Sequence, residues 1–268
     1  MTNNKANGAV TSKAETLPAS KMEELVKLSG LGLETVTTDD LPTPRIKLLQ
    51  TGSDEAKEGH AKYVEGAKAG RIFNTASQSM YGKEGINVVV CGFSKEWPEW
   101  KERGTGGPGA PIQIFTPQNR PMDAIRGDDG KFRLPNGNYI EETANFYLLI
   151  LGEGVTPEPA ILSMSKSGLK HARNWAYMLK NEFIQDPKTK KLFLAPSWYR
   201  VYNLTTFMDS NDKGDWYNWK IEKGDFVNDE ATFDAASAFN ESFRKGKVTA
   251  SYEDEEGSSE GQKGDIPF

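Results

Sequence analysis

Cysteine and histidine are nearly absent from this chain: one Cys and two His in 268 residues. A lone Cys91 excludes an intrachain disulfide, and with only His60 and His171 beside it a Cys/His zinc centre has too few ligands. Cys91 sits in the apolar run INVVVCGF and reads as a small buried hydrophobe in a reducing, cytoplasmic compartment. No run approaches the length of a membrane span, and the start, MTNNKANGAV, lacks the apolar segment of a signal peptide. The phosphate loop with its Lys-Ser/Thr, the G-x-S-x-G elbow and H-E-x-x-H are all missing. GTGGPG at 104–109 reads as a flexible loop. No cofactor is indicated, and the expectation is a protein that is not an enzyme.

What is present is charge in an uneven arrangement. The chain holds 33 basic and 38 acidic residues, but residues 251–268, SYEDEEGSSEGQKGDIPF, contain six of the acidic ones and only Lys263 of the basic ones. The remaining 250 residues carry 32 of each and are formally neutral. The net charge of −5 therefore resides in the tail, and the overall acidity does not argue against a nucleic-acid partner for the rest.

That tail is polar until its last residues, where Ile266, Pro267 and Phe268 follow Asp265. Exposed Ile and Phe gain nothing in water, so an apolar tip on an acidic tether reads as a ligand for a partner's pocket, with the terminal carboxylate available for capture. Glu253 to Glu256 taken alone read as an ordinary solvated run.

Upstream, residues 1–40 read as a flexible arm with a short amphipathic helix near 21–29, and residues 41–250 as the folded body. Its signals are mostly strands: Arg45 to Leu49, Gly70 to Thr75, Ile86 to Phe93, Ile112 to Thr116, Ala144 to Leu151 paired with Ala160 to Met164, and a long hairpin from Trp198 to Ile221. Lys131 to Ile140 reads as a hairpin with Asn136-Gly137 as its two-residue turn. Two helices interrupt them. Residues 166–184 carry an apolar stripe through Leu169, Ala172, Ala176, Leu179 and Phe183, and residues 229–244 another, capped by Asn228 or Asp229. Many short strands with a helix between them predict a β-rich α+β fold, a small elaborated barrel.

Single strands are gripped by basic grooves and by aromatic rings on which bases stack. The most basic stretch runs from Lys166 to Arg200. On its helix, Lys166, Lys170, Arg173 and Lys180 lie off the apolar stripe, and Lys188, Lys190 and Lys191 follow. Strand alternation places Trp198, Arg200 and Tyr202 on one face, with Trp216 on the return strand. Trp97, Trp100, Lys101 and Arg103 form either a binding lip or a packed turn. Each Trp is as well suited to a core as to stacking.

The tip Asp265-Ile266-Pro267-Phe268 resembles the C-terminal tip of bacterial-type single-stranded DNA-binding proteins, although Lys263 and Gly264 stand where further aspartates are usual. Chain length, order and tail are similar to phage-encoded single-stranded DNA-binding proteins. The resemblance implies an OB-fold body, a role in replication, recombination and repair, and a tail docking polymerase, helicase or primase while competing with DNA for the basic groove. Eighteen flexible residues span about 20–25 Å end to end, enough to reach back over a small body. A nuclease carrying the same tip and a pure interaction protein stay open as alternatives, as does assembly into a homo-oligomer.

Overall fold

The computed structural model describes residues 19–29, 31–35, 43–102, 110–128, 131–152, 156–212, 214–250 and 252. It divides into two units, Met1–Leu41 and Pro42–Phe268. In the first, helix α1 (Ala19–Lys27) matches the amphipathic stretch expected there, with Leu25, Val26 and Leu28 all exposed.

The second unit opens with three short antiparallel strands in the order β1-β2-β3: β1 (Ile46–Leu48), β2 (Ile72–Asn74) and β3 (Ser79–Met80). Strand β4 (Ile86–Trp100) is the longest and the one around which the rest is arranged. An arm of short strands follows, β5 (Gln113–Phe115), β6 (Ile125–Arg126), β7 (Phe132–Arg133) and β8 (Tyr139–Ile140). Then come β9 (Thr143–Leu151), β10 (Glu158–Ser165) and helix α2 (Leu169–Lys180). A small hairpin, β11 (Phe183–Gln185) and β12 (Leu192–Leu194), leads to the long hairpin β13 (Arg200–Asn211) and β14 (Gly214–Phe226), and helix α3 (Glu230–Arg244) closes the fold.

Pairing gives the antiparallel order β10-β9-β4-β13-β14. A three-strand meander is followed by a helix and then by a hairpin laid on the far side of the first strand. This is the OB-like arrangement, a sheet curled into a half-barrel. The curl has a local cause: β4 shifts register against β9 between Val90 and Gly92, and such a bulge bends a strand and sharpens its twist. Beyond the bend, β4 stays paired with β9 as far as Glu96, and from Trp97 to Trp100 it pairs with β5 and β8 of the arm. The open side between β10 and β14 is occupied by the chain leading into and out of β1. Ile161 N donates to Pro44 O at 2.8 Å, and Gln50 clasps the Tyr217 backbone in both directions, at 2.9 and 2.8 Å.

The run INVVVCGF is continuously apolar because both of its faces are covered. Val88 and Val90 point into the barrel with Phe146, Leu148, Leu162, Tyr202 and Leu204, beneath Trp175 of α2. Trp175 stacks on Phe146 with centroids 4.3 Å apart. Val89 and Cys91 face outward against Ala236 and Phe239 of α3. The buried thiol of Cys91 is pushed up to about 12 by burial, as a small inert hydrophobe should be. Asp229 caps α3, accepting from Thr232 N at 2.7 Å.

Three local expectations are corrected. The hairpin turn is not Asn136-Gly137 alone: Gly137 N donates to Leu134 O, Leu134 N to Asn138 O, and Gly137 has φ of 86°. That is a three-residue loop with glycine in the left-handed position. Phe183 does not extend the α2 stripe but begins β11, because the helix ends at Lys180. The segment Lys95 to Trp100, a lip or packed turn by sequence, continues β4, with Pro98 opposite Ile114.

Candidate nucleic-acid interface

The structure distributes the predicted DNA-binding residues unevenly. Tyr202 is fully buried inside the barrel, edge-on to Trp175; a register shift between Arg200 and Tyr202 breaks the alternation that placed it beside Trp198. Trp97 and Trp100 are buried at 5 % and 9 % exposure. Trp97 lies under the Arg120 guanidinium, and Trp100 meets Tyr252 edge-on. Trp198 is half-buried in a turn, packed edge-on to Phe233 of α3. The buried rings of Tyr202, Trp97 and Trp100 offer no free face to a base. Trp216 is half-buried, but its cross-strand partner is Asp209 and its neighbour Asp215, an acidic surrounding unsuited to phosphate.

Arg200 is likewise committed elsewhere. Its guanidinium meets Glu182 at 2.6 Å and lies over the Phe226 ring at 4.2 Å. The Arg200 hydrogen bond, with Lys223 at 2.7 Å on the other oxygen, holds the Glu182 carboxyl below its ordinary value. Lys166 pairs with Glu141 at 3.6 Å and Arg173 with Glu142 at 3.3 Å. Lys170, Lys180 and Lys101 are exposed and have no ion pair among the described residues. Arg103 and the tail residues Asp265, Ile266, Pro267 and Phe268 lie outside the described residues.

Which surface remains? In an OB-like barrel the outer face of the second and third strands is the usual platform for oligonucleotides. Here that face, with Tyr147, Leu149 and Ile161, is covered by α3 and by Ala250 and Tyr252. Tyr252 is seated there by hydrogen bonds, receiving one from Asn145 Nδ2 at 2.9 Å and donating to Glu96 Oε2 at 2.6 Å. An accessible basic surface is on α2 and the hairpin that follows it.

On α2 the apolar side is fixed by Ala172 and Trp175 in the barrel mouth, so helical spacing turns Lys170, Arg173, Tyr177 and Lys180 outward together. Tyr177, at 71 %, is the most exposed aromatic ring among the described residues. Three residues past the helix, β11 and β12 expose Phe183 and Phe193 at 54 % and 46 %. The turn between them carries Lys188 and Lys190, with Lys191 leading into β12; all three are exposed and lack an ion pair among the described residues. The only carboxylate of that turn, Asp186, is occupied internally by Lys188 N and Thr189 Oγ1, at 2.8 and 2.7 Å. Tyr177 and Phe193 were missed by sequence. The signal for Tyr177 was available, since it stands seven residues after Lys170 on the polar side of the helix.

A second feature escaped sequence reasoning. A cleft of about 290 Å³ opens between the β2–β3 region and the β13–β14 hairpin, lined by Arg71, Lys83, Tyr217, Thr205 and Thr206 among others. Among the described residues, no group of three or more His, Cys, Asp or Glu side chains is placed to hold a metal ion, and no helix is long and apolar enough to cross a membrane.

The family model described as Pam3 phage gp34-like protein matches residues 12–249. The chain belongs to that phage protein family. The match covers the barrel, both described helices of the body and the α2 surface, and ends before the acidic tail. No curated protein and no solved structure matches the chain.

Proposed function

We propose that this phage-family protein is a non-catalytic, sequence-tolerant binder of single-stranded DNA, acting in the host cytoplasm in replication, recombination and repair. The observation that carries the reading is the line of Lys170, Arg173, Tyr177 and Lys180 on α2 running into a hairpin with exposed Phe183 and Phe193 beside three lysines that have no ion pair among the described residues. Rings flanked by cations are what a strand requires: bases stack on any π face, and ammonium groups follow the phosphates. The OB-like strand order supports the same reading.

The test is fluorescence anisotropy with labelled oligo-dT against a duplex control, over a range of salt. Tyr177→Ala and Phe193→Ala should each weaken single-strand binding by about 1–3 kcal/mol, roughly 5- to 150-fold. The triple substitution K188Q/K190Q/K191Q should flatten the log affinity–log salt slope by about 2, since each phosphate neutralised on a single strand contributes roughly 0.7. These side chains are exposed, so melting temperature should not move. Salt-insensitive binding, or none, would sink the reading in favour of an interaction protein; metal-dependent cleavage of the strand would favour a nuclease.

The tail has its own place in this reading. Asp265 to Phe268 dock a replication protein such as a polymerase, helicase or primase, while the upstream carboxylates compete with DNA for the basic surface. Deleting residues 253–268 removes six carboxylates and one lysine. It should tighten DNA binding most at low salt, where screening is least. Unchanged affinity at low salt would separate the tail from the DNA site.

A further inference from the structure

We infer that the cleft between the β2–β3 region and the β13–β14 hairpin is a phosphate subsite that takes one nucleotide unit of the bound strand, an inference that rests on the single-strand reading above. The ligand class follows from the lining. Arg71 is half-buried and Lys83 exposed, and neither has an ion pair among the described residues. Beside them stand the hydroxyl-bearing Thr205 and Thr206 and the ring of Tyr217. Two cations and an aromatic face in a cavity of about 290 Å³ suit a phosphodiester with the sugar or base attached to it.

The cleft is built rather than incidental. The Tyr217 backbone is held by both polar ends of the Gln50 side chain. Its ring lies so close to Gly70 that an added Cβ would stand 2.5 Å from Cε1. Gly70 has φ of 83°, and its carbonyl accepts from Thr206 Oγ1 at 2.6 Å. The ring position, the adjoining hydroxyl and the glycine wall are therefore fixed by one another before any ligand arrives, which lowers the cost of ordering them on binding. One carboxylate lies against a lining residue: Glu84 folds back on Gly82, where it would meet any Cβ placed there. Its negative charge opposes an incoming phosphate.

Two arms separate this inference from the reading it rests on. In the first, the R71Q/K83Q double variant is titrated with oligo-dT beside wild type and the hairpin triple variant. The salt slope should fall by about 0.7, the one phosphate held in the subsite, and further when the two sets are combined. E84Q should bind more tightly than wild type. An oligonucleotide carrying 5-iododeoxyuridine should photocross-link to Tyr217. If wild type binds the strand while R71Q/K83Q keeps its slope and Tyr217 takes no cross-link, the subsite is overturned and the function stands. In the second arm, inorganic phosphate alone is titrated while the backbone amides of Gly70, Gly82 and Gly85 are followed by NMR. Shifts present in wild type and lost in R71Q/K83Q support an anion site even if wild type binds no DNA. If wild type binds no DNA, absence of those shifts overturns the inference together with the reading.

Discussion

Replacing Glu99 with leucine should cost this fold about 3–5 kcal/mol, visible as a fall of roughly 10 °C in melting temperature. Glu99 is 1 % exposed near the end of β4, where it pairs with Gln113 of β5 and Ile140 of β8. A carboxylate taken out of water is costly unless its oxygens are satisfied. Here three side-chain amides do so: Asn136 and Asn138 donate to Oε1 at 2.9 and 2.5 Å, and Gln113 to Oε2 at 2.6 Å. Leucine would leave three amide groups facing an apolar chain, and the asymmetry between making and orphaning a buried hydrogen bond sets the size of the loss. Glutamine should lose less, because its carbonyl still accepts while its NH₂ opposes a donor.

The same carboxylate gives a pH signature. Burial pushes the Glu99 carboxyl up, but the amides of Gln113, Asn138 and Asn136 together outweigh burial and hold it below its ordinary value of 4.5. A depressed acid stabilises the folded state above its unfolded pKa, and that contribution is lost as pH falls through the folded value. Wild type should therefore lose stability below about pH 4.5 more steeply than Glu99→Leu, measured by urea midpoints. Parallel curves with a difference under about 1 kcal/mol would remove Glu99 from this role.

The arm was legible in part, since Ile112 to Thr116 and the Lys131 to Ile140 hairpin return as β5 and as β7 with β8, but what fastens it was not. Strands of two or three residues, such as β6, β7 and β8, are too short to show a period. KEWPEWKER balances its charges, so Glu99 looked like any solvated acid. What fastens the arm is a long-range set of amides on a buried oxygen pair, and no local pattern announces that. The barrel was readable for the opposite reason. Ile86 to Phe93, Ala144 to Leu151 and the stripes of α2 and α3 bury whole faces, and burial writes itself into composition over consecutive residues.

The binding residues divide along similar lines. Lysines off a helical stripe could be placed from spacing alone, and Lys170 and Lys180 are exposed with no ion pair among the described residues. Whether a cation is already neutralised depends on residues far away in the chain: Glu142 occupies both Lys95 and Arg173, and Glu182 both Arg200 and Lys223. Tryptophan misleads for a related reason. Its large ring offers as much to a core as to a base, and Trp97, Trp100 and Trp198 went to packing, whereas the smaller rings of Tyr177, Phe183 and Phe193 were left outside.

Gly85→Ala is expected to be nearly as damaging as the loss of Glu99, at about 3–4 kcal/mol. Gly85 precedes β4 with φ of 78°, a conformation that costs an L-residue with a Cβ about 1–2 kcal/mol. The added carbon would also fall inside the contact radius of the Leu204 carbonyl oxygen and meet the Thr205 methyl. Leu204 is the register partner of Ile86, so relief requires moving β13 away from β4 at the central seam of the barrel. A backbone oxygen cannot rotate aside as a side chain would. The displaced strand carries Thr205 and Thr206, which line the cleft beside Gly85 itself. Gly85→Ala should therefore disturb the cleft as well as the fold, whereas Gly137→Ala, at a left-handed position open to solvent, should carry only the conformational cost. Urea melts of the two variants separate the contributions: the difference between them measures the seam. If Gly85→Ala lost no more than Gly137→Ala, β13 would be free to shift, and the rigid wall assigned to the cleft would not exist.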